Sequence, residues 1–134
     1  MKRVIFLYSL LLVWGISFAT KVEKETATLV ALNWMNSNSS KYYDGKDIAS
    51  VFTNSSDSLV LNYIVSFDSV GWVIVSASDL TEPVIAYSFD SKFDISSMPS
   101  QVSSWLRGIS SETASAEIKK IAPSVDIQRK WGDL

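Results

Sequence analysis

The residues of this chain that could do chemistry are carboxylates. Asp44 with Asp47, and Asp90 with Asp94, lie close enough in sequence for one member of a pair to act as acid and the other as base. Both pairs sit in turn-rich polar segments, where a solvated acid or an Asx turn is the ordinary role of aspartate. The sequence has no Cys and no His. It therefore offers no thiolate nucleophile, lacks the commonest general base and metal ligand, and cannot build a Ser-His-Asp triad. The run Asp44-Gly45-Lys46-Asp47 also lacks the ligand count and spacing of a calcium loop. No cofactor is expected, and the chain reads as one that acts by binding.

Whatever surface does the binding is expected to belong to one exported domain. Lys2 and Arg3 precede an apolar run from Val4 to Ile16, and Ser17-Phe18-Ala19 places small residues where a signal peptidase cuts. Residues 1–19 are expected to be a signal peptide, too short and too soon followed by charge at Lys21 to stay as a membrane anchor. Thr20 to Leu134 is then a single domain, periplasmic or secreted, whose stability without disulfides must come from an ordinary packed core. Losing Lys2 and Arg3 from the twelve basic side chains leaves ten against fourteen acidic ones, a mildly acidic balance. Nucleic acid is excluded as a partner, because phosphate binding needs a concentrated basic patch. The local excess of Lys119, Lys120, Arg129 and Lys130 is interspersed with Glu112, Glu117, Asp126 and Asp133 and reads as a solvated helix face and tail.

The elements follow from periodicity. Ala27, Val30, Ala31 and Trp34 mark an amphipathic helix from Val22, widened by Leu29 and Leu32 and ended near Asn36 by a Ser/Asn cluster. Tyr42 to Phe52 is ambiguous: a turn at Asp44-Gly45, then Ile48, Val51 and Phe52 as one helical turn, with Asn54 to Ser58 as a polar loop. Leu59, Leu61, Tyr63, Val65 and Phe67 alternate as a half-buried strand, joined by Asp68–Gly71 to a second strand, Trp72 to Ala77. Pro83 opens a third, Val84 to Phe89. Pro99-Ser100 starts a helix with the stripe Val102, Trp105, Leu106, Ile109; a second, out-of-phase stripe of Ala114, Ile118 and Ile121 predicts a break near Gly108 to Ser111 and an end at Pro123. Ser124 to Leu134 carries no assignable pattern. The predicted fold is α+β: an antiparallel meander of three to four strands flanked by an N-terminal helix and C-terminal helices.

Gly71-Trp72-Val73-Ile74-Val75-Ser76, Glu82-Pro83-Val84-Ile85-Ala86-Tyr87-Ser88, Lys92-Phe93-Asp94 and the helix Val102 to Ile109 follow one another in an individual order and spacing. Over residues 59 to 109 this resembles the prosegment of streptopain-type (C10) cysteine proteases, a bacterial module that also occurs free-standing as Spi-type inhibitors. The resemblance implies a reversible, noncovalent inhibitor of a C10-type cysteine protease that blocks the active-site cleft as a zymogen prosegment does. An exported structural or adhesive module on the same fold, and a detached prosegment acting as a folding chaperone, are the alternatives. The free chain is expected to be a monomer.

Trp34, Trp105 and Phe67 lie on apolar faces and are expected in the core. Tyr42, Tyr43, Phe89, Phe93 and Met98 flank loops, where a large apolar side chain either folds back or stays exposed as an anchor. The segment Asp94 to Gln101 is the expected contact surface, being a loop that leads into a helix N-terminus with unpaired N–H groups. Phe93, Asp94, Met98, Pro99, Ser100 and Gln101 are its candidate protease-binding residues. In the resembled prosegment an Asn before the corresponding helix reaches into the catalytic cleft. Alignment on Val102 to Ile109 puts Gln101 there, with the amide kept and one methylene added.

Overall fold

A computed structural model describes residues 21–119 and 122–134. The expected signal peptide, Lys120 and Ile121 lie outside the described residues. The alternating strand Leu59–Phe67 (β2) sits inside a four-stranded antiparallel sheet of order β1-β2-β3-β4, with β1 at Ile48–Ser56, β3 at Trp72–Ser76 and β4 at Val84–Ser88. Tyr63 pairs with Val75 and Val65 with Val73 across β2 and β3. Both faces of this central pair are buried: Tyr63, Val65, Phe67, Val73 and Val75 belong to one core, Ile64 and Ile74 to another. The fold is α+β, as the periodicity predicts.

The segment from Ile48 to Ser56 is a correction. It is neither a helical turn nor a loop but the edge strand β1, and it meets β2 through Asp57 and Ser58, whose φ angles of 49° and 66° suit a type I′ hairpin turn. Its half-buried residues, Ile48, Val51 and Asn54, recur every third position, and a bulge interrupts its pairing between Ile48 and Ser50. A bulged edge strand with little to bury does not show the two-residue period of a strand.

On the first face lies α1, Lys24–Asn38, which starts and ends two residues later than predicted. Ala27, Val30, Ala31 and Met35 are the residues it buries. Met35, not Trp34, completes the stripe; Trp34 stands half-buried at the margin, 4.1 Å from Tyr87 and 5.7 Å from Phe89 between ring centres. Leu29 is exposed and does not widen the apolar face. The chain returns from α1 because the Asn36 amide pairs with the Tyr43 main chain, donating to its carbonyl at 2.9 Å and accepting from its N–H at 2.7 Å. That places the Tyr43 ring in the core against Phe67, while Tyr42 stays exposed. Gly71, with φ of 105°, lets β3 start beneath this layer; a Cβ there would lie 2.7 Å from Met35 Cε and 3.2 Å from the Ser88 carbonyl.

The opposite face carries α2, Ser100–Lys119, one continuous helix where a break near Gly108 to Ser111 is predicted. Its buried line runs through Leu106, Ser110 and Thr113 at helical spacing. Of the described residues in the two stripes only Leu106 lies on this line: Trp105 and Ile118 are exposed, and two hydroxyl residues take the other inner positions. The tail folds as α3, Val125–Gly132, capped by Ser124. It returns to the body through Trp131 Nε1, which donates to the Thr81 carbonyl at 2.9 Å, and through Lys130, which pairs with Glu82 at 2.7 Å and Asp126 at 3.1 Å.

Candidate binding surface

Both carboxylate pairs are turn formers. Asp44 and Asp47 make a reciprocal cap on the short 3-10 turn Gly45–Asp47, with the Asp44 N–H donating to Asp47 Oδ2 at 2.7 Å and the Lys46 N–H to Asp44 Oδ1 at 3.0 Å. Asp90 accepts from the Ser88 hydroxyl at 3.2 Å, and Asp94 caps the 3-10 turn Ile95–Ser97. Among the described residues no group of three or more His, Cys, Asp or Glu could hold a metal ion, and no helix is long and apolar enough to cross a membrane.

The loop between β4 and α2 is pinned along its length. The Ser91 hydroxyl accepts from Trp72 Nε1 at 3.3 Å and lies 2.6 Å from that of Ser88, while the Ser91 carbonyl accepts from the Gly71 N–H at 2.9 Å. Phe93 then folds back onto Trp72, edge to face at 5.3 Å between ring centres. The Asp94 carboxylate accepts from the Ser96 N–H at 2.9 Å, the Ser96 hydroxyl at 2.6 Å and the Ser97 hydroxyl at 2.9 Å. These bonds, led by those from the two serine hydroxyls, hold its carboxyl below the ordinary carboxylate range. Met98 is half-buried against Ile64, Ile74 and Leu106. Pro99 precedes α2 and its carbonyl accepts from the Ser103 N–H at 3.0 Å. Ser100 and Gln101 form the exposed first turn, the Ser100 hydroxyl donating to Gln101 Oε1 at 3.3 Å.

The structure therefore sorts the six candidates. Phe93 and Met98 take the folded-back alternative, Asp94 organises the loop, and Pro99, Ser100 and Gln101 stand in solvent. Around Met98 lie two cavities of about 240 Å³ each. One is lined by Trp72, Phe93, Val102 and Trp105, the other by Phe52, Ile95 and Arg107, and Met98 and Leu106 line both. Phe52, Ile95, Val102 and Trp105 are 47%, 56%, 42% and 45% exposed, so the cavities sit in one band of apolar surface running from β1 across the loop to α2.

Five of these residues escape sequence reasoning. Trp105 reads as core but is a surface residue, and Phe52 reads as part of a helical turn but lies in β1. Ile95 carries the available signal, since an apolar residue between Asp94 and two serines has no obvious core to enter, whereas Val102 reads as part of the helix's apolar stripe and is exposed. Trp72 is legible only as a strand residue.

A pinned loop on a four-stranded antiparallel sheet, with an exposed apolar band beside it, is the candidate surface of this α+β domain. The sequence model of the Spi protease inhibitor family matches residues 19–113, from before α1 to well inside α2, and the chain belongs to that family. It is a protease inhibitor and not an enzyme. No curated protein and no solved structure matches it.

Proposed function

We propose that this inhibitor acts on a C10-type, streptopain-like cysteine protease, reversibly and without covalent chemistry, by presenting the Phe93–Gln101 loop and the start of α2 to the active-site cleft. The observation that carries the reading is the coincidence of two things at one place: the segment that resembles the cleft-blocking part of a zymogen prosegment is also the segment flanked by exposed Ile95, Val102 and Trp105 and pinned by Asp94 and Ser91. A prosegment benefits from its covalent link to the protease, whereas a separate chain must compensate with intrinsic affinity. A preorganised loop lowers the ordering cost of binding, and apolar anchors such as Trp105 dominate interface energetics. We expect an interface of roughly 1,600 Å² in total. Export with cleavage after Ala19 would put the chain, as a monomer, in the compartment through which such a protease leaves the cell.

The test is titration of the chain into an active C10-type protease and into papain. Dose-dependent inhibition of the first, weaker or absent in the second, is expected; no inhibition of the first would sink the reading. Met98→Asp and Gln101→Ala are expected to raise the inhibition constant, Met98→Asp more strongly because it places a charge between two apolar cavities. Unchanged constants in both would move the contact elsewhere on the molecule.

A further inference from the structure

The fourth strand is a thinly covered edge of the sheet. None of the five residues of β4 is buried, whereas four of the five in neighbouring β3 are. The outer side of β4 has no neighbouring strand, and among the described residues no other backbone group bonds to residues 84–88 from that side. Val84–Ser88 also lacks the charge, lysine or proline that commonly keeps an edge from pairing. Its one irregularity is a bulge: Ile74 pairs with Ala86 and Val75 with Val84, leaving Ile85 as the extra residue.

Two cavities flank this edge. One of about 400 Å³ is lined by Trp34 of α1 and Tyr87; the other, of about 340 Å³, by Ile109 and Thr113 of α2. Since α1 and α2 lie on opposite faces of the sheet, so do the cavities, and Val84 and Ile85 line both. A free main-chain edge with a cavity on each face is what an added strand requires, because its alternate side chains point to opposite faces. The rim is anionic. Glu82, Glu112 and Asp133 line the cavities against one cation, Lys130, which is already paired with Glu82 and Asp126. Antiparallel pairing with a second copy centred on Ala86 would set Glu82 opposite Asp90, a like-charge contact.

We infer that the β4 edge is a docking site for an extended, apolar segment of another protein carrying Lys or Arg, which adds to the sheet as a fifth strand. The site shares no residue with the band around Met98 and does not depend on which protease the chain inhibits.

The probe is a nine-residue peptide of alternating valine and threonine with a lysine at each end, titrated into the chain while amide hydrogen exchange is followed. Saturable binding and slowed exchange at residues 84–88 are expected, unchanged in Met98→Asp. Glutamates in place of the lysines, N-methylation of alternate peptide nitrogens, and Ile85→Lys in the protein should each weaken binding about tenfold. Absence of binding, or equal binding by the N-methylated peptide, overturns the proposal. So does a concentration-dependent dimer in sedimentation that Ile85→Lys abolishes, since a second copy would then be the occupant.

Discussion

On the α1 face of the sheet, Val30, Ala31 and Met35 close over Tyr63, Val65, Val73 and Val75, every one of them at 5% exposure or less. On the α2 face the buried apolar cluster is only Ile64, Ile74 and Leu106, and beside it the buried polar residues Ser110 and Asn62 meet through a hydrogen bond of 3.2 Å. The first face is a close-packed apolar layer and holds the fold. The second is thin, partly polar and bordered by cavities, and it carries the exposed apolar band. Burying more apolar surface under α2 would consume the exposed residues on which the proposed binding rests: Trp105 could be core, and here it lies at the surface.

Breaking the first face should have the largest effect on stability. Met35→Ala removes a side chain with no exposed surface and leaves a cavity beneath Gly71; we expect a loss of about 3 kcal/mol in urea unfolding. The folded fraction should inhibit normally. Leu106→Ala on the second face should cost less, about 2 kcal/mol, because the site is 8% exposed and open to neighbouring cavities. Its inhibition should weaken beyond the loss of folded protein, since Leu106 lines both cavities of the band. The reverse pattern, in which Met35→Ala impairs inhibition more, would dissolve the division of labour between the faces.

The same division decides what the sequence makes legible. β2, β3 and β4 and the buried stripe of α1 can be read because the first face obeys simple periods: Tyr63, Val65 and Phe67 alternate, and Ala27, Val30 and Ala31 recur helically. The second face breaks those rules. The inner line of α2 is Leu106, Ser110, Thr113, so its apolar residues point to the outer stripes and suggest a break that is absent. β1 has little to bury and shows no strand period, and α3 buries no residue fully and is held by Trp131 and Lys130, contacts that no local pattern announces. The loop proposed for contact, Asp94 to Gln101, stands out in the sequence as a loop leading into a helix start. Its partners Phe52, Trp72 and Trp105 do not, because only the tertiary fold brings them to Met98.

Asp94 gives a smaller, pH-dependent handle on the second face. Its carboxyl is held below the ordinary range by the bonds from Ser96 and Ser97, so its ordering of the loop is complete above the unfolded carboxylate pKa and lost as pH falls through the lowered folded value. Partner binding followed by fluorescence should be insensitive to this group from neutral pH down to about pH 4 and weaken below it. Asp94→Ala should bind about fivefold more weakly at neutral pH and lose that acid limb. A variant that keeps the limb would assign it to another carboxylate.

The smallest expected change tests why the second face is polar at all. Asn62 has no exposed surface; its Nδ2 donates to the Ser110 hydroxyl, and its Oδ1 has no hydrogen-bond partner among the described residues. Ser110→Ala alone leaves the whole amide unpaired and should cost about 1–2 kcal/mol, whereas Asn62→Leu with Ser110→Ala removes the polar pair together and should lie within about 1 kcal/mol of the parent, on the stable side if the space fills. If the polar seam serves only packing, that double variant inhibits as the parent does. If it keeps α2 able to adjust its seat on β2 when Trp105 and Val102 meet a protease, the double variant is as stable but binds more slowly. Thermodynamic parity with a lower association rate would therefore show that the second face forgoes stability for fit.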